Sequence, residues 1–179
     1  MVYGAWLEEA FHLSVVALGL TTTVIGAAEL LAEGLTASLA DRLGLRRSVM
    51  IGLILSGASY ATFSYLARTL PMALIALFII FLTFEFTAVT ALSLSTELVP
   101  AVRATMVSGF LAAGGIGRVA GVLIGGRIWM AGDIMSIGLF STLMSAVALI
   151  FLVWGLRGWR APESSIKEMR SEHGLTPEG

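Results

Sequence analysis

The chain contains five long apolar stretches, each long enough to cross a lipid bilayer as a helix. A hydrocarbon core about 30 Å thick is spanned by about 20 helical residues. With 57% hydrophobic and 13% charged residues, and a mean hydropathy of +0.91, the chain is too apolar for one soluble core. The predicted fold class is therefore all-α, a polytopic bundle over residues 1–160 with a polar cytoplasmic tail over 161–179. The five predicted transmembrane spans are roughly 14–39, 48–67, 71–94, 103–130 and 134–156.

Several classes of function are excluded or disfavoured by composition. The chain has no cysteine, so disulfides, thiol catalysis and cysteine-ligated metals are excluded. His12 and His173 stand at opposite ends, which disfavours a metal site. With a net charge of −1 and no basic block, we expect no nucleic-acid partner. No pair of acidic residues and no Ser/His set has a spacing that suggests catalysis, so we predict neither an enzyme nor a bound cofactor.

The basic residues predict how the chain is oriented in the membrane. Short connections make the spans alternate in direction, so the links lie on alternating sides. Eight of the eleven lysines and arginines fall on one side, which the positive-inside rule assigns to the cytoplasm. The N-terminus is therefore predicted outside and the C-terminus inside. The eight are Arg42, Arg46, Arg47, Arg103, Arg157, Arg160, Lys167 and Arg170.

The most informative motif is the connection between the first two spans. Gly44 suits a sharp reversal of the chain, and Asp41 stands where basic neighbours can pair with it. Arg46 and Arg47 suit the anionic inner leaflet. From the residues alone, this segment is a loop that sets topology, or it has a further role that the residues do not specify. A gating role for Asp41, Arg42, Gly44, Arg46 and Arg47 is implied by the family resemblance described next.

This connection resembles the signature loop of the major facilitator superfamily, G-x-L-A-D-R-x-G-R-R. It departs from that pattern at Ala37, usually glycine in the family, and at Leu45, often basic. Residues 97–103 resemble the family's link before its penultimate helix, and residues 114–126 resemble that glycine-rich helix. The resemblance covers nearly the whole chain. The residues that match the signature loop are Leu39, Ala40, Asp41, Arg42, Gly44 and Arg46.

The resemblance implies that the five spans are helices eight to twelve of a twelve-helix transporter. Residues 3–9 would then be the outer end of helix seven, and the N-terminal six-helix half would be missing. Its implied function is transport of a small molecule whose identity is unknown, by proton-coupled efflux across a bacterial or archaeal plasma membrane. The alternative is a small five-span membrane protein that serves in assembly or interaction. A continuous upstream reading frame that encodes further spans would separate the two.

Charged residues inside the spans are the candidate pathway residues. Ionisable groups at membrane depth are costly unless they find a partner or a function. Glu29 lies twelve residues before Asp41, or roughly 18 Å along a helix. Similar spacing places Glu85 and Arg118 near the midplane, and Glu33 lies one turn from Glu29. In one interpretation, Arg118 pairs with Glu85 or Glu29 and ties helices together. In the other, one of the charges binds substrate or a glutamate takes up and releases a proton, and Glu29 and Glu33 are the favoured candidates for that glutamate.

The spacing of three glycines and the positions of four tryptophans give two further predictions. Gly117, Gly121 and Gly125 recur every four residues, a spacing that lets another helix approach closely. They serve helix packing, or they let this helix slide or bend during transport. Tryptophans near the predicted span ends are expected in the interfacial aromatic belt. These are Trp6, Trp129, Trp154 and Trp159.

Overall fold

The computed structural model describes residues 2–158, and every regular element in that range is helical. The predicted tail over 161–179, with Arg160, Lys167 and Arg170, lies outside the described residues. Five helical segments are long and apolar enough to cross a membrane. The predicted all-α bundle of five transmembrane helices is therefore confirmed. The helices are α1 (Val2–Phe11), α2 (Val15–Leu35), α3 (Asp41–Leu43), α4 (Leu45–Leu66), α5 (Leu70–Leu98), α6 (Arg103–Ala131) and α7 (Ile134–Gly155).

Two short irregular helices complete the path of the chain. A π-helical turn, Thr36–Ala40, extends α2, and a 3₁₀ turn, Pro100–Val102, precedes α6. Thr36 Oγ1 donates to the Ala32 carbonyl oxygen at 2.9 Å, so this hydroxyl is satisfied within its own helix. Ser14 caps α2 by accepting a hydrogen bond from the Ala17 N–H at 3.3 Å.

The spans pack as a ring with one added helix. Helices α4, α5, α6 and α7 contact one another in that order around the ring, and α2 packs on the outside of α5. The interfaces of α4 with α5 and α7 are extensive, whereas α6 contacts its neighbours lightly. Many large apolar side chains are exposed, which is the surface expected of a bundle surrounded by lipid.

Two apolar clusters hold the bundle at its two ends. One lies near α1, where Trp6 and Leu7 pack with Phe63 of α4 and Leu77 of α5. We call this the α1 end. The other cluster joins Val49, Leu94 and Leu156 from α4, α5 and the end of α7. It lies at the end that carries Gly44, called the Gly44 end below.

Glycine and hydroxyl residues bring α4 close to both of its main neighbours. A Cβ atom on Gly52 would collide with the Thr87 side chain of α5. A Cβ atom on Gly138 of α7 would lie 2.8 Å from the Tyr60 carbonyl oxygen. Thr142 Oγ1 also donates across this interface to the Gly57 carbonyl oxygen at 3.2 Å. At the α4–α7 and α4–α5 interfaces, the helix backbones therefore approach each other closely.

Candidate functional site

Four charged side chains from three helices lie within the spans. Glu29, Glu85 and Arg118 are near mid-span, and Glu33 is one turn nearer the Gly44 end. Glu29 and Glu33 are exposed on α2, Glu85 is half-buried on α5, and Arg118 is exposed on α6. Glu85 and Arg118 each follow the first residue of a 29-residue helix by fifteen positions. We call the surface formed by these four residues the charged face. It brings together all the intramembrane pathway residues that the sequence singles out.

The charged face is centred on Glu85. The charges of Glu29, Glu33 and Arg118 all act on the Glu85 carboxyl group through space, and none of them hydrogen-bonds to it. With three carboxyl groups against one guanidinium, the face carries an excess of acid. Arg118 therefore counterbalances part of the negative charge around Glu85 without forming a direct bond to it.

The predicted gating loop is a tight turn between α2 and α4. Gly44 has φ +81°, a left-handed conformation that favours glycine. Its N–H donates to the Ala40 carbonyl oxygen at 2.9 Å, and its own carbonyl accepts from the Ser48 N–H at 3.0 Å. Asp41 begins the three-residue helix α3. The basic members of this loop are Arg42 and Arg47, both exposed, and Arg46, which is half-buried.

The glycines of α6 have no neighbour within the described residues. A Cβ atom on Gly117, Gly121 or Gly125 would meet no atom within 4 Å. No residue of α6 is buried. The packing predicted for these three glycines, called the α6 glycine stripe below, stays a prediction, and its partner is not among residues 2–158.

Two cavities lie near the α1 end. The first, of about 270 Å³, is almost wholly apolar and is lined by aromatic residues that include Tyr60, Phe63 and Phe84. The second, of about 500 Å³, lies where α1 approaches the link between α6 and α7. Trp6 and Trp129 line this second cavity together with Glu9 and Asp133.

The prediction of a lipid-facing aromatic belt is wrong for Trp6. This side chain is only 7% exposed, and its ring makes edge contacts with Phe11 and Phe63. Sequence position alone suggested a span end, and nothing in the local pattern indicated that α1 folds back onto the bundle. Trp154, which is 67% exposed, has the exposure expected of a belt residue.

Acidic and hydroxyl side chains outside the charged face are the remaining polar groups of interest. Within the described part of the chain, no three His, Asp or Glu side chains are grouped closely enough to hold a metal ion. The hydroxyls of Thr21 and Thr22 donate to carbonyl oxygens one turn earlier in their own helix, at 2.7 and 2.6 Å. These threonines are therefore engaged with backbone.

The comparison with protein-family models gives a match. A family model described as Major Facilitator Superfamily matches residues 1–177. Neither the comparison with curated proteins nor that with solved structures gives a match.

Proposed function

Because this chain belongs to the Major Facilitator Superfamily, whose members are membrane transporters, we propose that it forms the C-terminal half of a proton-coupled efflux transporter for a small molecule. The observation that carries the proposal is the charged face. Charges from α2, α5 and α6 converge there at mid-span. Transporters of this kind bind substrate and coupling ion near the bilayer midplane, between their repeats.

The exposure of these charges supports a route along the face. A carboxylate or guanidinium in hydrocarbon is costly, so such groups turn toward a protein interior or a water-filled cavity. Glu29, Glu33 and Arg118 are exposed in this chain. They reach a polar environment if a second set of helices covers the face and encloses water between the two. Under this proposal, that second set is an N-terminal six-helix half.

Proton coupling follows from the imbalance of charge. One guanidinium does not neutralise three carboxylates, so at least one glutamate is free to take up and release a proton. Glu85 is the best placed of the three, since it is half-buried on α5, the helix that contacts both α2 and α6. Substrate binding and protonation then compete for the same negative face. The outward direction of transport is inferred from the family resemblance of the loop alone.

The experiment is transport by the complete transporter in proteoliposomes, measured across a range of pH. Glu85→Gln is expected to remove the dependence of transport on a pH gradient while leaving downhill substrate movement in place. Glu29→Gln and Glu33→Gln are expected to shift that dependence. Glu97→Gln is the matched control, because Glu97 lies on the same helix three turns away.

An unchanged pH dependence in all three glutamine variants of the charged face would contradict proton coupling through it. An equal loss in Glu97→Gln would show that the effect is general to α5. Loss of transport in either direction without loss of expression would mean that Glu85 holds substrate instead of a proton.

A second candidate function is favoured by the bare surface of α6. A helix with no buried residue is also what an assembly or interaction subunit would present to its partner. Sequencing upstream of Met1 separates the two candidates. A continuous frame encoding six or seven further spans supports the transporter, and a stop codon with its own ribosome site supports the five-span subunit.

A further inference from the structure

The cavity between α1 and the α6–α7 link combines two aromatic rings with two acids. Its lining residues include Trp6, which is 7% exposed, and Trp129, together with the acidic residues Glu9 and Asp133. No lysine or arginine is among its lining residues in the described part of the chain. Its volume of about 500 Å³ lies in the range of pockets that hold small organic ligands.

We propose that this cavity binds a small organic ammonium ion. Indole faces attract cations through their ring quadrupole, and quaternary ammonium groups are held by such rings. Two carboxylates supply the opposite charge. A bare metal ion is disfavoured, since within the described residues no three potential ligand side chains are grouped to hold one.

The walls of the cavity are held in place before any ligand arrives. Trp6 is fixed by edge contacts with Phe11 and Phe63, at ring-centre distances of 5.5 and 5.1 Å. Asp133 caps α7, and its Oδ1 accepts from the Ser136 N–H at 3.1 Å and from the Ser136 hydroxyl at 3.3 Å. These contacts occupy Oδ1 and leave the second carboxylate oxygen, Oδ2, for a ligand. A preorganised site loses less entropy on binding.

The site is separate from the charged face and does not depend on proton coupling. Trp6 and Glu9 belong to α1, and Asp133 precedes α7, so the cavity lies at the α1 end. Glu29, Glu85 and Arg118 lie near mid-span. The ammonium group has two possible sources, a soluble amine or the choline headgroup of a lipid.

The test is choline binding to the 179-residue chain in a non-ionic maltoside detergent, read by tryptophan fluorescence. Trp154→Phe and Trp159→Phe remove the signals of the other two tryptophans. We expect a saturable change with choline and none with 3,3-dimethylbutan-1-ol, its uncharged isostere. No saturable change, or equal binding of the isostere, would overturn the proposal.

Paired variants identify the site. Glu9→Gln combined with Asp133→Asn is expected to weaken choline binding about tenfold or more, and asparagine keeps the cap of α7. Glu8→Gln is the control, because Glu8 is the exposed neighbour of Glu9 and does not line the cavity. Equal weakening by Glu8→Gln, or none by the double variant, would overturn the assignment. Circular dichroism checks that each variant remains helical.

A lipid arm distinguishes the two sources. The same titration is made in nanodiscs of phosphatidylglycerol and in nanodiscs that also contain phosphatidylcholine. Competition by phosphatidylcholine assigns the site to a lipid headgroup, whereas undiminished choline binding in both assigns it to a soluble amine. Either result supports an ammonium site, and loss of binding in phosphatidylglycerol alone would overturn it.

Discussion

The glycines of α4 and α7 and the glycines of α6 occupy similar apolar helices but opposite environments. Gly52 and Gly138 lie where neighbouring helices approach so closely that a Cβ atom would meet another chain segment. A Cβ atom on Gly117, Gly121 or Gly125 would meet no neighbouring segment, and Gly117 and Gly121 are exposed. The α6 glycines are the more regularly spaced in the sequence. Within the described residues, however, close packing at glycine occurs only at the α4–α7 and α4–α5 interfaces.

This difference shows that regularly spaced small residues allow another helix to approach closely, but they do not identify which helix that is. Helices in lipid associate through packing and interhelical hydrogen bonds, because lipid tails are as apolar as the side chains. The α4–α7 seam has both, with Gly138 at Tyr60 and the Thr142 hydroxyl bonded to the Gly57 carbonyl. The α6 glycine stripe has neither in the described chain. Its partner, under the proposed function, is the other half of the transporter.

The largest expected effect is at Gly52. Gly52→Val should lower the free energy of unfolding of the 179-residue chain by about 3 kcal/mol, since the new side chain overpacks Thr87. Gly121→Val is the matched control on α6 and should leave the stability of this chain unchanged. Both are measured by unfolding in mixed detergent and SDS micelles. Equal losses would show that α6 is packed within the chain.

A second-site change sharpens that comparison. Gly52→Ala combined with Thr87→Ala should recover part of the stability lost in Gly52→Ala alone, because Thr87 supplies the colliding atoms. Thr87 Oγ1 donates only to the Thr83 carbonyl of its own helix. Removing this hydroxyl therefore leaves the backbone hydrogen bonds of α5 intact. If the two substitutions lower the free energy of unfolding additively, Gly52 and Thr87 are not in contact.

Side-chain truncation should give the next largest contrast. Leu77 of α5 is 4% exposed and Leu123 of α6 is 64% exposed. Leu77→Ala leaves a cavity and should cost about 2 kcal/mol, whereas Leu123→Ala removes few contacts and should cost less than about 0.5 kcal/mol. The same micelle unfolding measures both. A larger cost at Leu123 would mean that α6 packs more tightly than its exposure indicates.

The smallest effect is expected at Thr142. The Thr142 hydroxyl donates to the Gly138 carbonyl of its own helix at 2.8 Å as well as to Gly57 across the interface. Thr142→Val removes both bonds, and the one between helices is worth about 0.6 kcal/mol. Thr62→Val is the control, because the Thr62 hydroxyl donates only within α4. Identical changes in the free energy of unfolding would show that the cross-helix bond adds nothing.

Much of the fold follows from the sequence, since hydropathy and the 30 Å core set both the number and the length of the spans. The end of α5 was expected at Leu94, but the helix continues to Leu98. The polar side chains there are satisfied within the helix, since the Ser95 and Thr96 hydroxyls donate back to the Leu92 and Ser93 carbonyls. The π-helical turn at Thr36–Ala40 has no recognisable pattern in the sequence.

The site was only partly predictable for a similar reason. Depth along a helix can be counted, so the sequence picks out Glu29, Glu85 and Arg118 as mid-span charges. It does not say which helices are neighbours, and α5 brings them together by contacting both α2 and α6. The second cavity was missed because it depends on α1 packing against the bundle, which makes Trp6 a buried residue.

The most direct test of the central claim asks whether the α6 glycine stripe is covered in the complete transporter. The chain has no cysteine, so a nitroxide spin label at Gly121→Cys reports one position, and Leu139→Cys on the exposed surface of α7 is the control. Accessibility to molecular oxygen is measured by electron paramagnetic resonance in the 179-residue chain and in the complete transporter. The account predicts high accessibility at both positions in the chain, and a fall at Gly121 alone in the complete transporter. Equally high accessibility at Gly121 in both would contradict it.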